Sequence, residues 1–298
     1  MKFIVVACFA VLVSFGQSLP AEPLRAQASR LFADGRFVDV RDLARARLTT
    51  ARDSAAWWAI AAESLVELEE FEQACAHFAK AHELDASLDP LMVRYGFALV
   101  RTGRTDDAVA WLRPFLTSSN ADRRASAYYY SALAALADDK VVIARKLLNE
   151  ALLVTPKNGR VLIRLAQLDL SESRLEEALA HADRALSAKP TSVAAAHTRA
   201  LTLARLNRPI EAETAFARHR VLLTANDQMA ALVATIPTSK VPAEVCISIA
   251  GIASNVGDRE LARTWAKRAL DRDPTSTRAK NMIEGLRTES RPATRKSP

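Results

Sequence analysis

The chain has 298 residues, half of them apolar, only 8 of them glycine, and alanine, leucine and charged residues predominate, a composition typical of all-helical proteins. Its formal charge is +7, but 34 acidic residues are mixed among the 41 basic ones. The sequence also contains no motif that combines basic with aromatic residues, and both observations argue against nucleic-acid binding.

The first 18 residues have the pattern of a secretory signal. Lys2 precedes an apolar run over residues 3–15 that is broken only by Ser14, and Gly16 and Ser18 supply the small residues of a cleavage site. The run, about 13 residues long, is shorter than the ~20 that a helix needs to span a bilayer. We expect cleavage after Ser18, with Ala21 as the second choice, and a periplasmic or secreted protein. The alternative is an uncleaved anchor that holds the chain at the membrane, facing the periplasm.

A 34-residue unit recurs along the rest of the chain. It is clearest within residues 125–192, where the two halves overlay so that Ala132 falls on Ala166 and Pro156 on Pro190. This period is typical of helix-turn-helix arrays. The units that share the register are 21–54, 55–88, 89–122, 125–158, 159–192, 193–226 and 243–276.

The unit over residues 55–88 shows the landmarks most fully. Trp58 stands at its fourth position, Ala62 at the eighth, Ala74 at the twentieth and Phe78 at the twenty-fourth. This pattern resembles the tetratricopeptide repeat (TPR). The resemblance implies an all-α fold, a right-handed superhelical solenoid of antiparallel helix pairs in about seven units. Small residues at the eighth and twentieth positions let the two helices of a pair approach closely.

Two segments outside the units, an insertion and a capping helix, complete a solenoid domain predicted over residues 19–286, and a tail follows the domain. Residues 227–242 are an insertion, either a binding element on one face or an elongated helix followed by a loop. Residues 278–286 are expected to form a capping helix, and the basic tail 287–298 is expected to be disordered. Within the third unit, Pro114 predicts a kink or an early end of the second helix.

Motifs that carry catalysis are missing. The sequence has no glycine-rich phosphate loop, no Cys-x-x-Cys pair, no His-Glu-x-x-His and no Gly-x-Ser-x-Gly elbow. His77 and His82 are five residues apart and so are poorly aligned on one helix face for binding a metal. We therefore expect a non-enzymatic protein without a cofactor or a metal site.

The resemblance also implies a binding groove. In the TPR family the first helix of each unit lines a concave face, and the corresponding positions here are mainly apolar, with arginines at the margins. The candidate partner-binding residues are Val93, Phe97, Val100, Arg101, Tyr129, Leu133, Leu136, Ile163, Gln167, Leu170, His197 and Leu201. An apolar groove suits an amphipathic helix or an apolar peptide segment. The alternative for each residue is packing against the neighbouring unit.

One known type of TPR ligand is disfavoured. Chaperone-binding members of the family hold a C-terminal carboxylate with Lys and Asn at two groove positions, which in the second unit are Ala59 and Glu63. The leading interpretation is a non-enzymatic scaffold or adaptor in the cell envelope that binds a peptide or an amphipathic helix. The alternative is a membrane-anchored assembly factor for envelope biogenesis or secretion. Under both interpretations the partner is a protein or a peptide and not a nucleic acid. Membrane association would occur only through an uncleaved N-terminus, and the sequence does not predict an oligomeric state.

Overall fold

The computed structural model describes residues 22–91, 93–234 and 241–288, and the regular structure in these ranges is entirely helical. The predicted signal at 1–18 lies outside the described residues, as do 235–240 of the insertion and 289–298 of the tail. The α-helices are α1 Glu22–Ala33, α2 Phe37–Leu48, α3 Ala55–Glu67, α4 Phe71–Leu84, α5 Arg94–Arg101, α6 Thr105–Leu112, α7 Ala121–Ala137, α8 Val141–Val154, α9 Gly159–Ser171, α10 Leu175–Ala188, α11 Val193–Arg205, α12 Pro209–Ala234, α13 Ala243–Asn255, α14 Arg259–Arg272 and α15 Thr277–Thr288. The short 3-10 helices are Ala86–Leu91 and Arg113–Thr117.

The described residues form two compact units, which we call the N-terminal unit (22–188) and the C-terminal unit (189–288). Within each, consecutive helices pack as pairs joined by short turns, for example α7 with α8 and α13 with α14. Short connections of this kind make neighbouring helices antiparallel. The all-α class predicted from the repeat is therefore confirmed, whereas the single solenoid domain stays a prediction.

The turn inside each helix pair has one recurring feature, a residue with positive φ between 56° and 84°. These residues are Gly35, Glu69, Gly103, Asp139, Ser173, Asn207 and Gly257, and each is the fifteenth of its 34-residue unit. The next amide donates to the carbonyl five residues earlier, as Glu70 does to Leu65 at 2.9 Å, which is the geometry of a Schellman motif. The turn therefore keeps its place in the unit beyond residues 123–124 and beyond the insertion 227–242, both of which interrupt the period.

Small residues lie where the helices of a pair meet. Ala132, Ala144, Ala166 and Ala178 have no exposed surface. Gly96 of α5 also lies in a close helix contact, since a Cβ placed there would lie 2.6 Å from the side chain of Leu112. These positions allow the close helix approach that the repeat pattern predicts.

Helix α6 is shorter and helix α12 is longer than most of the other helices, each for an identifiable reason. Helix α6 ends at Leu112, and the 3-10 helix that follows has Pro114 near its start, so the helix ends early, as this proline predicts. Helix α12 runs for 26 residues to Ala234, which makes the first half of the insertion an elongated helix. Met229 in this extension is buried in the core of the C-terminal unit. None of the helices in the described ranges meets the length and apolarity needed to cross a bilayer.

Candidate functional site

Four aromatic rings from three helix pairs of the N-terminal unit contact one another in a row. Phe71, at the start of α4, meets Phe97 of α5 edge to face, with ring centroids 5.7 Å apart. Phe97 stacks on Tyr130 of α7 at 5.5 Å, and Tyr130 contacts Tyr129 at 5.5 Å. These separations are typical of favourable aromatic pairs. We call Phe71, Phe97, Tyr130 and Tyr129 the aromatic row.

An arginine lies over each end of the aromatic row. The guanidinium carbon of Arg101 is 4.3 Å from the ring centroid of Phe71 and 5.8 Å from that of Phe97. At the other end, Arg160 of α9 lies 5.6 Å from the ring centroid of Tyr129 and donates a 3.4 Å hydrogen bond to the Tyr130 hydroxyl. Both arginines are exposed. Each is therefore held over an aromatic ring by a cation–π contact while it remains accessible to solvent.

Helix α5 carries a second arginine whose surroundings are different. Arg94, Phe97 and Arg101 share one helix face because they are three and four residues apart. Arg94 is mostly buried and pairs with Glu63 at 2.8 Å and Glu67 at 2.7 Å, both on α3. No carboxylate among the described residues pairs with Arg101. Of the two arginines beside Phe97, one is neutralised and the other presents its charge.

The acidic cluster of Glu63, Glu67 and Arg94 is electrostatically unbalanced. Burial raises the pKa of Glu63, and the neighbouring Glu67 raises it further, against the opposing effect of Arg94. The Oε1 atom of Glu63 is buried without a hydrogen-bond partner. With both carboxylates ionised, the cluster carries a net negative charge beside the first turn of α5.

A buried apolar layer supports the aromatic row. Val93, Leu112, Phe115 and Ala127 pack together with Tyr130, and Phe97, Tyr129 and Leu133 pack against them. Tyr130 is buried, and the other three rings of the row are half-buried. Because the rings are packed on a rigid layer, little side-chain freedom remains to be lost on binding.

The twelve residues predicted to bind a partner are divided between the two units. Phe97, Arg101 and Tyr129 belong to the aromatic row or lie over it, and Leu133 packs beside it. Val93 is only 7 % exposed and belongs to the buried apolar layer on which the row packs.

The other predicted residues lie beside the row or away from it. Val100 packs against the core formed by α3 to α6, and Leu136 against the core around Ala132. Half-buried positions on α9 are Ile163, Gln167 and Leu170, whereas His197 and Leu201 are exposed in the C-terminal unit. Contact of these residues with a partner stays a prediction.

Two residues of the row, Phe71 and Tyr130, were not predicted from the sequence. Phe71 begins a second helix and Tyr130 stands at the sixth position of its unit, so neither falls on a position expected to line the groove. Their aromatic type was the only available signal. The sequence analysis did not predict the ion pairs of Arg94, because it considered Glu63 only as a groove position and did not consider Glu67 or the neighbouring helix.

A second charged cluster joins three helices of the N-terminal unit. The carboxylate of Asp169 on α9 is completely buried, and it meets Arg145 of α8 at 2.7 Å, His181 of α10 at 2.7 Å, and Arg174. Burial by itself raises the pKa of Asp169, but hydrogen bonds from His181, Arg145 and Arg174 outweigh it and lower that pKa. Because these side chains occupy both carboxylate oxygens, the cluster is a structural link between helix pairs. In the described part of the chain, no group of three or more His, Cys, Asp or Glu side chains could hold a metal ion.

Comparisons with known proteins identify the fold. No protein-family model matches the sequence, and no curated protein matches it. The APC/C hetero-tetramer Cut9–Hcn1 gives a TM-score of 0.54 at 16% identity, over 88% of this chain and 48% of that one. A monomeric mutant of IFIT1 with Gppp-AAAA gives a TM-score of 0.57 at 14% identity, over 90% of this chain and 63% of that one.

A third structure is the C-terminal part of a TPR repeat-containing protein from Cytophaga hutchinsonii, with a TM-score of 0.47 and 16% identity over 87% of this chain and 99% of that one. The chain spans about half of the Cut9–Hcn1 chain and less than two thirds of the IFIT1 chain. At these identities the similarity establishes the fold alone. The likeness to Cut9–Hcn1 and IFIT1 confirms the TPR-type solenoid fold that the repeat pattern predicts.

Proposed function

We propose that this chain is a non-enzymatic protein-interaction module that binds a peptide or an amphipathic helix of a partner protein at the aromatic row. The observation that carries the proposal is the row itself, a set of packed rings with an exposed arginine over each end. Aromatic residues and arginine are the side chains most enriched at the energetic centres of protein interfaces.

Further support comes from the fold and from one similar structure. TPR-type helix pairs present a row of first helices, on which an amphipathic helix can lay its apolar face. Cut9–Hcn1, which shares the fold, was solved as a hetero-tetramer. A scaffold needs no catalytic group, which agrees with the lack of catalytic motifs in the sequence.

The test compares partner capture by three forms of the full chain. The bait is the unaltered protein, the double variant Phe97→Glu with Leu133→Glu, or Val142→Glu as a matched control, since Val142 is 83% exposed on α8. Circular dichroism first checks that each form is helical. Proteins retained by the unaltered chain and by the control, but lost with the double variant, would support the proposal. Capture of the same proteins by all three forms would overturn it.

We also propose that the protein acts in the cell envelope. This rests on the signal pattern of residues 1–18, which lie outside the described residues. Mass spectrometry of the native protein tests it, because a chain that starts at Leu19 indicates an exported, unanchored module. An intact N-terminus in the membrane fraction would instead favour the anchored assembly factor, and an intact N-terminus in the cytoplasm would exclude both.

A further inference from the structure

We infer that the segment bound at the aromatic row is acidic, with apolar side chains that pack against the half-buried rings and carboxylates that pair with Arg101 and Arg160. The inference rests on the proposed function and names the chemistry of its ligand.

Arg101 differs from the arginines closest to it in the chain. Arg94 pairs with two buried glutamates, and Arg104 pairs with Asp107 at 2.8 Å. Arg101 instead lies over Phe71 and Phe97 and has no carboxylate partner among the described residues. A guanidinium that is already held in place offers a planar pair of donors that matches a carboxylate, at a lower entropic cost than a free side chain.

Arg160 supplies the second positive charge, at the opposite end of the row. Its contacts with Tyr129 and Tyr130 hold it over the rings in the same way. The three steps between ring centroids, each 5.5 to 5.7 Å, place the ends of the row at most about 17 Å apart, the length of roughly three helical turns. A short amphipathic helix with acidic residues near both ends fits this arrangement.

Single-stranded RNA is the other polymer that arginines and aromatic rings can bind. The row suits it poorly, because Phe97 and Tyr130 stack on each other and Arg101 covers Phe71, so these ring faces are occupied. On the neighbouring helix α3, the carboxylates of Glu63 and Glu67 pair with Arg94, which lies one turn before Phe97 on α5, and this acidic pair disfavours a continuous phosphate backbone along the row. A peptide can place its carboxylates only where the arginines are.

The experiment selects ligands without assuming their sequence. A phage library of random 12-residue peptides is panned on the full chain, and the selected peptides are synthesised and measured by fluorescence anisotropy. We expect selected peptides to be enriched in Asp and Glu together with apolar residues. Their affinity should fall at least tenfold with the double variant Arg101→Glu and Arg160→Glu, and it should fall as sodium chloride is raised.

The matched control is the double variant Lys146→Glu and Lys157→Glu, which makes the same change of charge at exposed positions outside the row. It should bind the selected peptides as the unaltered chain does. Peptides with Lys in place of Glu should bind the Arg101→Glu and Arg160→Glu variant better than they bind the unaltered chain. Circular dichroism confirms that both double variants are folded.

The outcomes separate this inference from the function on which it rests. Selected peptides that are basic or uncharged, yet lose binding with Phe97→Glu, would overturn the acidic ligand and leave the interaction module intact. Failure to select any peptide would overturn both. Binding of a 12-nucleotide oligo(A) RNA as tightly as the selected peptides, with the same loss in the double arginine variant, would overturn the peptide ligand.

Discussion

At the scale of single residues, two buried carboxylates of the N-terminal unit face different charges. Asp169 meets three cationic or ionisable donors, which together lower its pKa. Glu63 shares one guanidinium with Glu67 and is almost as deeply buried, so its pKa is raised. The first carboxylate should therefore stabilise the fold when ionised, and the second should cost stability when ionised.

Replacing Asp169 by Asn should destabilise the protein by about 3 kcal/mol at pH 7, because Arg145 and Arg174 would lose a buried counter-charge. Urea denaturation followed by circular dichroism measures the loss. A lowered pKa means that this stabilisation is present above the ordinary carboxyl value of 3.8 and is lost as the pH falls through the lowered one. The difference between the two proteins should therefore shrink in acid. The exposed substitution Asp271→Asn is the control, and an equal effect of both would contradict the structural link.

Replacing Glu63 by Gln should have the opposite effect. A raised pKa means that the folded chain binds the proton more tightly than the unfolded chain, so the free energy of unfolding falls as the pH rises above the ordinary value of 4.5. The glutamine side chain cannot ionise, and the variant should gain stability relative to the natural chain over this range, on the order of 1 kcal/mol at pH 7.

Urea titrations between pH 4.5 and 8 measure the gain. The control is Glu83→Gln, an exposed position with a surface ion pair to Lys80, where a change below ~1 kcal/mol is expected. If Glu63→Gln instead lost stability as the pH rose, the ionised Glu63–Arg94 pair would be stabilising and the account of this cluster would be wrong.

At the scale of helices, α5 and α6 pack closely because Gly96 has no side chain. A Cβ at this position would lie 2.6 to 2.8 Å from three atoms of the buried Leu112 side chain. Gly96→Ala should therefore cause a net loss of about 1 kcal/mol, since overpacking costs about 1–3 kcal/mol and the better helix propensity of alanine returns up to ~1 kcal/mol.

The matched control for Gly96→Ala is Gly251→Ala in α13. No atom lies within 4 Å of a Cβ added at Gly251, so this change should be neutral or stabilising. Thermal melts followed by circular dichroism compare the two variants. Equal melting temperatures would mean that α5 and α6 are not in tight contact at Gly96.

The sequence predicted the helix pairs more fully than it predicted the aromatic row. Small residues such as Ala132 and Ala166 recur at a fixed period, because close helix packing demands them in every unit. The row has no such period. Phe71 and Tyr130 meet Phe97 only through the relative placement of three helix pairs, which the pattern of one unit does not contain.

The ion pairs between helices also could not be predicted from the sequence. Asp169 stands at the eleventh position of its unit, where Leu65 and Leu99 stand in two others, so the repeat pattern by itself predicts an apolar residue there and no ion pair. Its partners Arg145 and His181 belong to the helices on either side. Only the packed structure brings these three side chains together.

At the scale of the whole chain, the described residues divide into two units with different contents. The N-terminal unit contains the aromatic row, both arginines that lie over it and the Asp169 cluster. The C-terminal unit contains His197 and Leu201, whereas the other ten residues that the repeat register assigned to the groove lie in the N-terminal unit. The proposed acidic ligand therefore has all of its contacts within one unit.

A fragment that ends at Ala188 tests whether the N-terminal unit is sufficient for binding. Residues 19–188 should fold by themselves, because contacts in helical arrays are mainly between consecutive helices and this unit has its own apolar cores. Circular dichroism and a cooperative melt check the folding. The affinity of the folded fragment for the selected acidic peptides should be within about threefold of that of the full chain, because a ligand about three helical turns long spans the row and no more.

The full chain with Leu201→Glu should also bind these peptides with unchanged affinity. A folded fragment that binds at least tenfold more weakly, together with a loss of binding in Leu201→Glu, would show that the groove extends to the first helix of the C-terminal unit, as the repeat register predicts.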